Sequence, residues 1–213
     1  MRHQYLDVKT SLKKNPYLLK IHTVLVELVI NASAGTSAED ESAMIILKEK
    51  NGERILPIMT SARRASVLLV RQHFGKPLPL PLSPTDVCCQ MMNKFGVRIA
   101  RVEIVFIKDG MFFSRIIGER DGEEQSVDFC SAPDGLVIAV VAQCPIFIAE
   151  ELLEAQYMRP TGENSYALNI NTLSRNMLEQ ALQHAVETEN YEAASQLRDE
   201  LARRTPETDK QEE

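Results

Sequence analysis

Tryptophan is absent from this chain of 213 residues, and aromatic side chains make up only 6% of it. No basic strand interleaved with aromatics is present, which argues against a surface that binds nucleic-acid bases by stacking. Long apolar runs are also missing, since none approaches the roughly 18 residues that a membrane-spanning helix needs. The most apolar early stretch, Val24–Ile30, contains Glu27 and follows Lys20. We therefore expect neither a signal peptide nor a membrane span.

Cysteine and histidine are scarce, with four residues of each. No C-x-x-C pair occurs, and the histidines are not spaced as in a metal finger. Reduced, buried thiols in a cytoplasmic protein are therefore expected. The patterns G-x-x-x-x-G-K-[ST], G-x-G-x-x-G, G-x-S-x-G and H-E-x-x-H are absent too, which argues against common nucleotide-binding loops, a serine-hydrolase nucleophile and a zinc-protease helix. The cysteines are Cys88, Cys89, Cys130 and Cys144.

Basic and acidic residues cancel over most of the chain, which therefore has no net charge there. Residues 1–160 hold 19 basic and 19 acidic residues, whereas residues 161–213 hold 5 and 11, which together give the 24 and 30 of the whole sequence and its net charge of −6. The larger part of the chain therefore lacks a global basic field for nucleic acid. Any polyanion would have to bind to local basic clusters.

Turn signals predict β-hairpins in the first 130 residues. Asn51-Gly52, Asp109-Gly110 and Asp121-Gly122 each favour the positive φ angles of a type I′ turn. The first predicts a hairpin, and the other two predict a meander of three antiparallel strands. The polar segment Asn31–Glu41 is predicted to be an exposed loop. The strands predicted around these signals are Val24–Ile30, Met44–Lys48, Arg54–Ile58, Val102–Lys108, Met111–Gly118 and Gln125–Cys130.

Helix start signals alternate with these strands. Ser83-Pro84-Thr85-Asp86 offers a Ser N-cap, a Pro at the first helical position and a carboxylate at the third. Ser131-Ala132-Pro133-Asp134 is a similar signal. Helices mixed with antiparallel strands predict an α+β fold, in which helices flank a mixed or antiparallel sheet. The helices predicted are Ser61–Phe74, Pro84–Phe95, Leu136–Ala142 and Ala149–Tyr157.

The C-terminal part has a different pattern. Apolar residues at helical spacing predict two short helices, from Leu173 to Ala185 and from Tyr191 to Leu201, joined by a turn at Glu187–Asn190. Neither helix is long enough to be stable alone in water, so the two should pack on each other and then on a partner. We therefore expect an N-terminal extension (1–22), a main domain (23–160), a linker (161–170), a helical hairpin (171–204) and a disordered tail (205–213).

Three aspartates are candidates for an acidic catalytic site. Asp86 and Asp134 each occupy a predicted helix start, and Asp128 lies shortly before the second of these starts. If the starts converge, the carboxylates could hold a divalent cation for phosphodiester hydrolysis. The alternative is structural, because a carboxylate at the third helical position also satisfies free backbone N–H groups and the helix dipole.

Basic residues cluster on one predicted helix and just after it, at Arg63, Arg64, Arg71 and Lys76. Such a cluster could position phosphate groups. The alternative is a solvated helix face opposite the apolar residues of the same helix. Cys130 could be considered as a nucleophile, but no histidine lies near it in the sequence, and a buried thiol is the favoured interpretation.

The order of segments is itself informative. Leu56-Pro57-Ile58 leads into a helix, a proline-rich turn ends in Thr85-Asp86, and the Asp-Gly meander leads to Val127-Asp128, Asp134 and Pro145-Ile146-Phe147-Ile148. Over about residues 24–157 this order resembles the bifunctional nuclease family, bacterial and plant domains credited with both DNase and RNase activity. The resemblance implies hydrolysis of DNA or RNA assisted by Mg²⁺ or Mn²⁺. It implies that Asp86, Asp128 and Asp134 are catalytic, that Asp128 and Asp134 hold the metal, and that Arg63, Arg64, Arg71 and Lys76 position phosphates.

A second resemblance covers residues 173–203. The run Y-E-A-A-S-Q-L-R-D-E-L, from Tyr191 to Leu201, is similar to the UVR motif, the helical hairpin through which the excision-repair proteins UvrB and UvrC meet. The resemblance implies a protein partner, and a homodimer through this hairpin or through a sheet edge is also expected. The residues implied in protein contact are Tyr191, Ala194, Leu197, Arg198 and Leu201.

Several positions depart from the nuclease family pattern. The family turn R-P-L-T-H-D-L aligns with Pro81-Leu82-Ser83 and Asp86 only with one inserted residue, which leaves its Arg and His without counterparts. A Glu common on the preceding helix is replaced by Arg64. The family's I-D-[AS]-R-[PT]-S-D-A loses its Arg between Asp128 and Asp134. Two functions therefore stay open: a metal-assisted nuclease, and a binding or adaptor protein that kept the fold and lost the chemistry.

Overall fold

The computed structural model of the chain describes residues 24–35, 42–74, 83–162, 165–167 and 169–204. The predicted N-terminal extension (1–22), Lys76 and the predicted tail (205–213) lie outside the described residues. None of the helices within the described ranges has both the length and the apolar composition that crossing a membrane requires.

A seven-stranded sheet forms the main domain. The strands lie in the order β3-β2-β1-β7-β4-β5-β6, and neighbours are antiparallel except for β7 and β4, which run parallel. The sheet curls, so that β3 also touches β5. This mixed sheet with flanking helices confirms the predicted α+β fold. The strands are β1 (Leu25–Gly35), β2 (Ser42–Glu49), β3 (Ile55–Ser61), β4 (Arg98–Lys108), β5 (Met111–Arg120), β6 (Glu123–Ser131) and β7 (Ile146–Ala149).

The same order of elements occurs twice in the main domain. Strands β1–β3 lead into helix α1 (Ala62–Phe74), and strands β4–β6 lead into helix α3 (Ala132–Ala142). Each helix is preceded by a Ser, Ser61 or Ser131, whose hydroxyl accepts a hydrogen bond from the backbone N–H three residues later. Helices α2 (Pro84–Lys94) and α4 (Glu150–Gln156) complete the predicted set. Two similar units therefore present their helix starts to each other.

One apolar core joins the sheet to these helices. Ile58 of β3, Leu68 of α1 and Leu136 of α3 are completely buried in it. Helix α3 lies so close to β5 that a Cβ atom on Gly135 would collide with Ser114 Oγ. The nearly uninterrupted apolar sequence of α3 follows from this burial, since water reaches little of its surface.

Two of the three predicted type I′ turns are confirmed. Asp109-Gly110 has φ angles of 51° and 78°, and Asp121-Gly122 has φ angles of 54° and 82°. The prediction for Asn51-Gly52 is wrong, because neither residue has a positive φ. The hairpin itself is present, but residues 50–54 connect its strands, and the connection is closed by a 2.9 Å hydrogen bond from the Glu49 N–H to the Arg54 carbonyl.

Two segments predicted to be irregular contain strand structure. The predicted loop Asn31–Glu41 begins inside β1, which stays paired with β2 as far as Gly35 after a register shift near Ile30. The predicted linker contains most of a small antiparallel pair, β8 (Arg159–Gly162) and β9 (Ser165–Ala167). Polar composition misled the prediction because backbone pairing does not require apolar side chains.

The C-terminal helical hairpin is confirmed. It consists of α5 (Arg175–Glu187) and α6 (Tyr191–Arg204) and follows a 3-10 turn at residues 170–172. A small apolar cluster of its own holds the two helices together. The most buried members of this cluster are Leu178, Ala185, Ala194 and Leu197.

The segment that leads into the hairpin is held by the last residue of α6 and by the main domain. The Arg204 guanidinium, whose side chain is 4% exposed, donates to the Leu173 carbonyl at 2.6 Å and to carbonyls of the 3-10 turn. The Gly110 turn of the meander touches the same segment, since a Cβ atom on Gly110 would collide with the Leu173 carbonyl oxygen. Asn169 also donates to the carbonyl of Ala155 in α4 at 2.6 Å. The hairpin therefore rests directly on the main domain.

Candidate active site

The N-terminal turns of α1 and α3 meet at an ion pair between Arg64 and Asp134. Arg64 Nε donates to Asp134 Oδ1 at 2.6 Å, and Arg64 Nη2 lies 3.3 Å from Oδ2. The Ser131 hydroxyl also donates to Oδ2, so the carboxylate takes part in the cap of its own helix. The side chains remain 46% exposed for Arg64 and 45% exposed for Asp134. Solvent, and therefore a substrate, can reach this pair.

The pKa of the Asp134 carboxyl lies below its ordinary value. Partial burial alone would raise this pKa, but the hydrogen bonds from Arg64 and Ser131 and the positive charge of Arg64 outweigh that effect. Asp134 is therefore ionised at neutral pH. In this state its oxygens accept hydrogen bonds or a proton and donate none.

Asp86 occupies the same kind of helix start but is buried. The Ser83 N–H and hydroxyl donate to Asp86 Oδ2 at 2.9 and 2.7 Å, and the Asp86 N–H donates to Ser83 Oγ at 3.3 Å. This capping box confirms the predicted helix start. Arg71 of α1 donates to the same Oδ2, and the two side chains are only 8% and 7% exposed. Asp86 thus ties α2 to α1 and offers little surface to a substrate.

Asp128 belongs to a separate charged row on the sheet. It lies in β6 beside a bulge, where Phe129 adopts a left-handed φ of 64°. Asp128 Oδ1 is 3.9 Å from Arg115 Nε, an ion pair without a hydrogen bond. Arg115 also pairs at 3.0 Å with Glu103, whose side chain is 5% exposed, and Arg101 binds the other oxygen of Glu103 at 2.7 Å.

The sequence prediction missed this row, although a signal for it exists. In β4, Arg101 and Glu103 alternate with the fully buried Val102 and Ile104, so the charged residues point to the face of the sheet opposite the core. Arg115 lies directly opposite Glu103 in the register of β4 and β5. Alternation within one strand was visible in the sequence, but its cross-strand partner was not.

The three candidate aspartates do not form a ready cation site. Among the described residues, no group of three or more His, Cys, Asp and Glu side chains is placed to hold a metal ion. Mg²⁺ and Mn²⁺ need several oxygen ligands that are free to coordinate them. Each aspartate is instead engaged by an arginine, so the residues as they lie do not fit a divalent cation. The pairs are Asp86 with Arg71, Asp128 with Arg115 and Asp134 with Arg64.

The predicted phosphate-binding residues include both exposed and buried side chains. Arg63 and Arg64 are exposed on the first turn of α1. Arg71 lies two turns later on the same helix and is buried against Asp86. Lys76 lies outside the described residues. Arg63 and Arg64 are therefore the members of the described set that a phosphate could contact.

The four cysteines are free. Burial raises the pKa of the Cys89, Cys130 and Cys144 thiols, to about 11 for Cys144. The negative charge of Asp134 raises the pKa of Cys130 further. These thiols are protonated at neutral pH and are poor nucleophiles, so Cys130 is not an activated nucleophile. The prediction of buried thiols is correct for Cys89 only, because Cys130 and Cys144 are partly exposed and Cys88 is exposed.

The residues implied in protein contact fall into two groups on α6. Tyr191 is 68% exposed, and Arg198 is also exposed. Ala194 and Leu197 are buried in the cluster that joins α6 to α5, and Leu201 packs against that cluster. The surface that the hairpin presents to solvent therefore includes Tyr191 and Arg198, while the apolar stripe serves its internal packing.

Comparison with known proteins agrees with both resemblances seen in the sequence. A family model described as the bifunctional nuclease domain matches residues 45–160, and one described as the UvrB/uvrC motif matches residues 174–203. Two curated relatives from Mycobacterium tuberculosis, the uncharacterized proteins MT1877 and Rv1829, are each 28% identical over 111 residues. The match covers 52% of this chain and 63% of each relative, so the chain spans less than two thirds of their length.

Proposed function

The chain belongs to the bifunctional nuclease domain family, and we propose a function for it on that basis. The proposed function is hydrolysis of phosphodiester bonds in DNA or RNA at the Arg64–Asp134 pair. One observation carries this choice of site. Of the two helix-start aspartates that pair with α1, Asp134 is nearly half exposed, whereas Asp86 is buried.

In the proposed reaction, Arg64 directs guanidinium donors to the non-bridging oxygens of the phosphate, and Arg63 adds a second positive charge. Water attacks phosphorus, and the Asp134 carboxylate accepts the proton that the water loses. The bond from phosphorus to the leaving sugar oxygen breaks, and that oxygen takes a proton from solvent. Because a carboxylate with a lowered pKa is a weak base, the proton moves to Asp134 only as the water oxygen bonds to phosphorus, and Asp134 also orients the water.

This mechanism contains no step through a metal ion, because the described carboxylates do not fit one as they lie. The proposal that Asp128 and Asp134 hold Mg²⁺ or Mn²⁺ rests on the family resemblance alone. It is tested by assaying the protein with each ion and with EDTA.

A second function is favoured by a specific observation. All three candidate catalytic aspartates are engaged by arginines, which is the pattern of a structural ion pair rather than of free catalytic groups. The chain would then be a binding or adaptor protein that retains the nuclease fold. The UVR hairpin would recruit a protein partner in the cytoplasm through its exposed side chains, Tyr191 and Arg198 among them.

The experiment compares three purified proteins: the natural chain, Asp134→Asn and Asp121→Asn. Each is incubated with single- and double-stranded DNA and RNA in Mg²⁺, Mn²⁺ or EDTA. For a nuclease acting at the proposed site, Asp134→Asn should lower the cleavage rate by about 100-fold or more. Asp121 is a matched control, because its side chain is 88% exposed and its positive φ tolerates Asn.

Cleavage that survives in EDTA and disappears in Asp134→Asn would support the mechanism without a metal. Cleavage that requires Mg²⁺ or Mn²⁺ would keep the nuclease and replace this mechanism. No cleavage by any of the three proteins, or equal cleavage by all of them, would contradict hydrolysis at Asp134 and favour the adaptor function.

A further inference from the structure

The tip of the helical hairpin exposes apolar and acidic side chains together. We define the hairpin tip as residues 186–192, which comprise the end of α5, the connecting turn and the start of α6. A 2.8 Å hydrogen bond from the Asn190 N–H to the Ala185 carbonyl closes the turn. Val186 is 53% exposed and Tyr191 is 68% exposed. The tip also presents three exposed carboxylates, those of Glu187, Glu189 and Glu192.

Arginines do not balance the acidic charge of the hairpin tip. All four arginines of the hairpin bind carboxylates that lie further from the tip. Within the described ranges, no Lys or Arg pairs with a tip glutamate, and Glu187 accepts a 3.0 Å hydrogen bond from the uncharged Gln183 amide. The tip therefore attracts a positively charged partner and repels a polyanion. The pairs elsewhere in the hairpin are Arg175 with Glu179, Arg198 with Asp199, and Arg203 and Arg204 with Glu200.

One stretch of the chain has the complementary charge. Residues 1–22, which we call the basic segment, hold 5 basic residues and 1 acidic residue, a net charge of +4. Residues 23–160 hold 14 and 18, and residues 161–213 hold 5 and 11, so both of these stretches are acidic. The basic segment also contains the apolar run Tyr17-Leu18-Leu19 between Lys14 and Lys20. It therefore matches both the charge and the apolar side chains of the hairpin tip.

The basic segment enters the described structure on the side of the hairpin. It leads into β1, whose first residue, Leu25, pairs with Ala149 at the end of β7. Strands β7 and β4 are parallel, with Ile148 beside Ile104, so β1 begins at the end of the sheet that carries the Gly110 turn. That turn touches the base of the hairpin. From the base, the tip is one helix length away, about 20 Å, whereas 22 extended residues span up to about 70 Å.

We propose that the basic segment binds the hairpin tip of the same molecule. Its lysines pair with the tip carboxylates, and its apolar residues cover Val186 and Tyr191. Exposed ion pairs are individually weak. A weak contact is sufficient here, because the chain connection holds the segment near the tip at an effective concentration in the millimolar range.

Docking of the basic segment controls access to the hairpin. Tyr191 is among the exposed side chains through which the proposed adaptor would recruit its partner, and the docked segment covers it. A partner that binds the tip must therefore displace the segment. This consequence rests on the proposed adaptor function, whereas the docking itself does not.

The first test measures how fast trypsin cleaves the full chain after the lysines of the basic segment, by mass spectrometry. Docking should slow this cleavage in the natural chain. A tip variant with Glu187→Gln, Glu189→Gln and Glu192→Gln should be cleaved at least about fivefold faster, because three exposed ion pairs are lost. The matched control makes the same change in net charge at exposed sites outside the hairpin and should keep the natural rate. It combines Glu53→Gln, Asp121→Asn and Glu123→Gln.

A second test uses the natural chain and does not depend on how the variants fold. A carbodiimide joins a lysine directly to a carboxylate in contact with it. Lysines of the basic segment should be linked to the tip glutamates, and a mixture of isotope-labelled and unlabelled chains should show that each link lies within one chain. Neither test involves cleavage of nucleic acid, so failure of this proposal is distinguishable from failure of the proposed hydrolysis.

Four results would overturn the proposal. The natural chain and the tip variant could be cleaved by trypsin at equal rates, or the control variant could be cleaved as fast as the tip variant. Links between labelled and unlabelled chains would place the segment on a second copy. Protection from trypsin that arises only after DNA is added would assign the segment to nucleic acid.

Discussion

Asp86 and Asp134 share a local motif and differ in their surroundings. Each is the third residue after a Ser N-cap, each follows a Pro in the first turn, and each pairs with an arginine of α1. Asp86 and Arg71 are nearly buried, whereas Asp134 and Arg64 are nearly half exposed. The motif therefore fixes the helix start in both places, and the packing around it decides whether water and substrates have access.

The difference in exposure gives the two Asp–Arg ion pairs different roles. A buried ion pair is shielded from water, so it holds α2 against α1, and the loss of either member leaves the other charge uncompensated. An exposed pair competes with water and with ligands, so its arginine and its carboxylate can each be offered to a phosphate or to water. Three measurements test whether the buried pair and the exposed pair differ in this way.

The largest effect is expected from Asp86→Asn. Asn keeps the shape of the side chain and can still cap α2, but among the described residues it leaves the buried Arg71 charge without a counter-charge. The free energy of unfolding, measured with urea, should fall by about 3–5 kcal/mol. Adding Arg71→Met should restore part of this loss, because it removes the uncompensated charge. An effect no larger than that of Asp134→Asn would remove the contrast between the two pairs.

A smaller effect is expected from Asp134→Asn, about 1 kcal/mol or less at neutral pH, because the pair is exposed. Its pH dependence has a definite sign. The folded pKa of Asp134 is lowered, so the stabilisation is present above the ordinary value of 3.8 and is lost as the pH falls through the folded pKa. The difference between Asp134→Asn and the natural chain, measured with urea at pH 7 and then below pH 3.8, should therefore shrink in acid. A difference that grew in acid would contradict the lowered pKa.

The smallest effect is expected from salt. A double-mutant cycle of Arg64→Met and Asp134→Asn should give a coupling free energy of roughly 0.2–1 kcal/mol at low salt. In about 1 M NaCl this coupling should approach zero, because the screening length falls to about 3 Å. The corresponding cycle for Arg71 and Asp86 should change little. Equal salt sensitivity of the two cycles would show that both pairs are solvated.

Sequence alone predicted the features that depend on neighbouring residues. The Ser83–Asp86 cap needs atoms within four positions of each other, and the Asp109-Gly110 turn needs two residues that tolerate positive φ. The helical hairpin was predicted for a similar reason, since the spacing of apolar residues on α5 and α6 is a local property. Such signals do not depend on how distant elements are arranged.

The partners of the charged residues could not be predicted in this way. Arg71 and Asp86 are 15 residues apart, and Arg64 and Asp134 are 70 residues apart. Each aspartate was recognised as a cap or a catalytic candidate, but no local pattern names the arginine that engages it. Likewise, Arg54, next to the Asn51-Gly52 turn, binds Glu150 of α4 at 2.7 Å as well as Glu49, and the first of these partners lies 96 residues away.

The close approach of Gly110 to the Leu173 carbonyl would fix the orientation of a protein bound to the hairpin relative to the main domain. A hairpin on a flexible linker would let a bound protein take any direction around the main domain, at an effective concentration set by the length of the linker. Here Arg204 closes the base of the hairpin, and the Gly110 turn meets that base without room for a side chain. A captured protein would therefore arrive from one direction, in an orientation set by the β4–β5 turn rather than by chance.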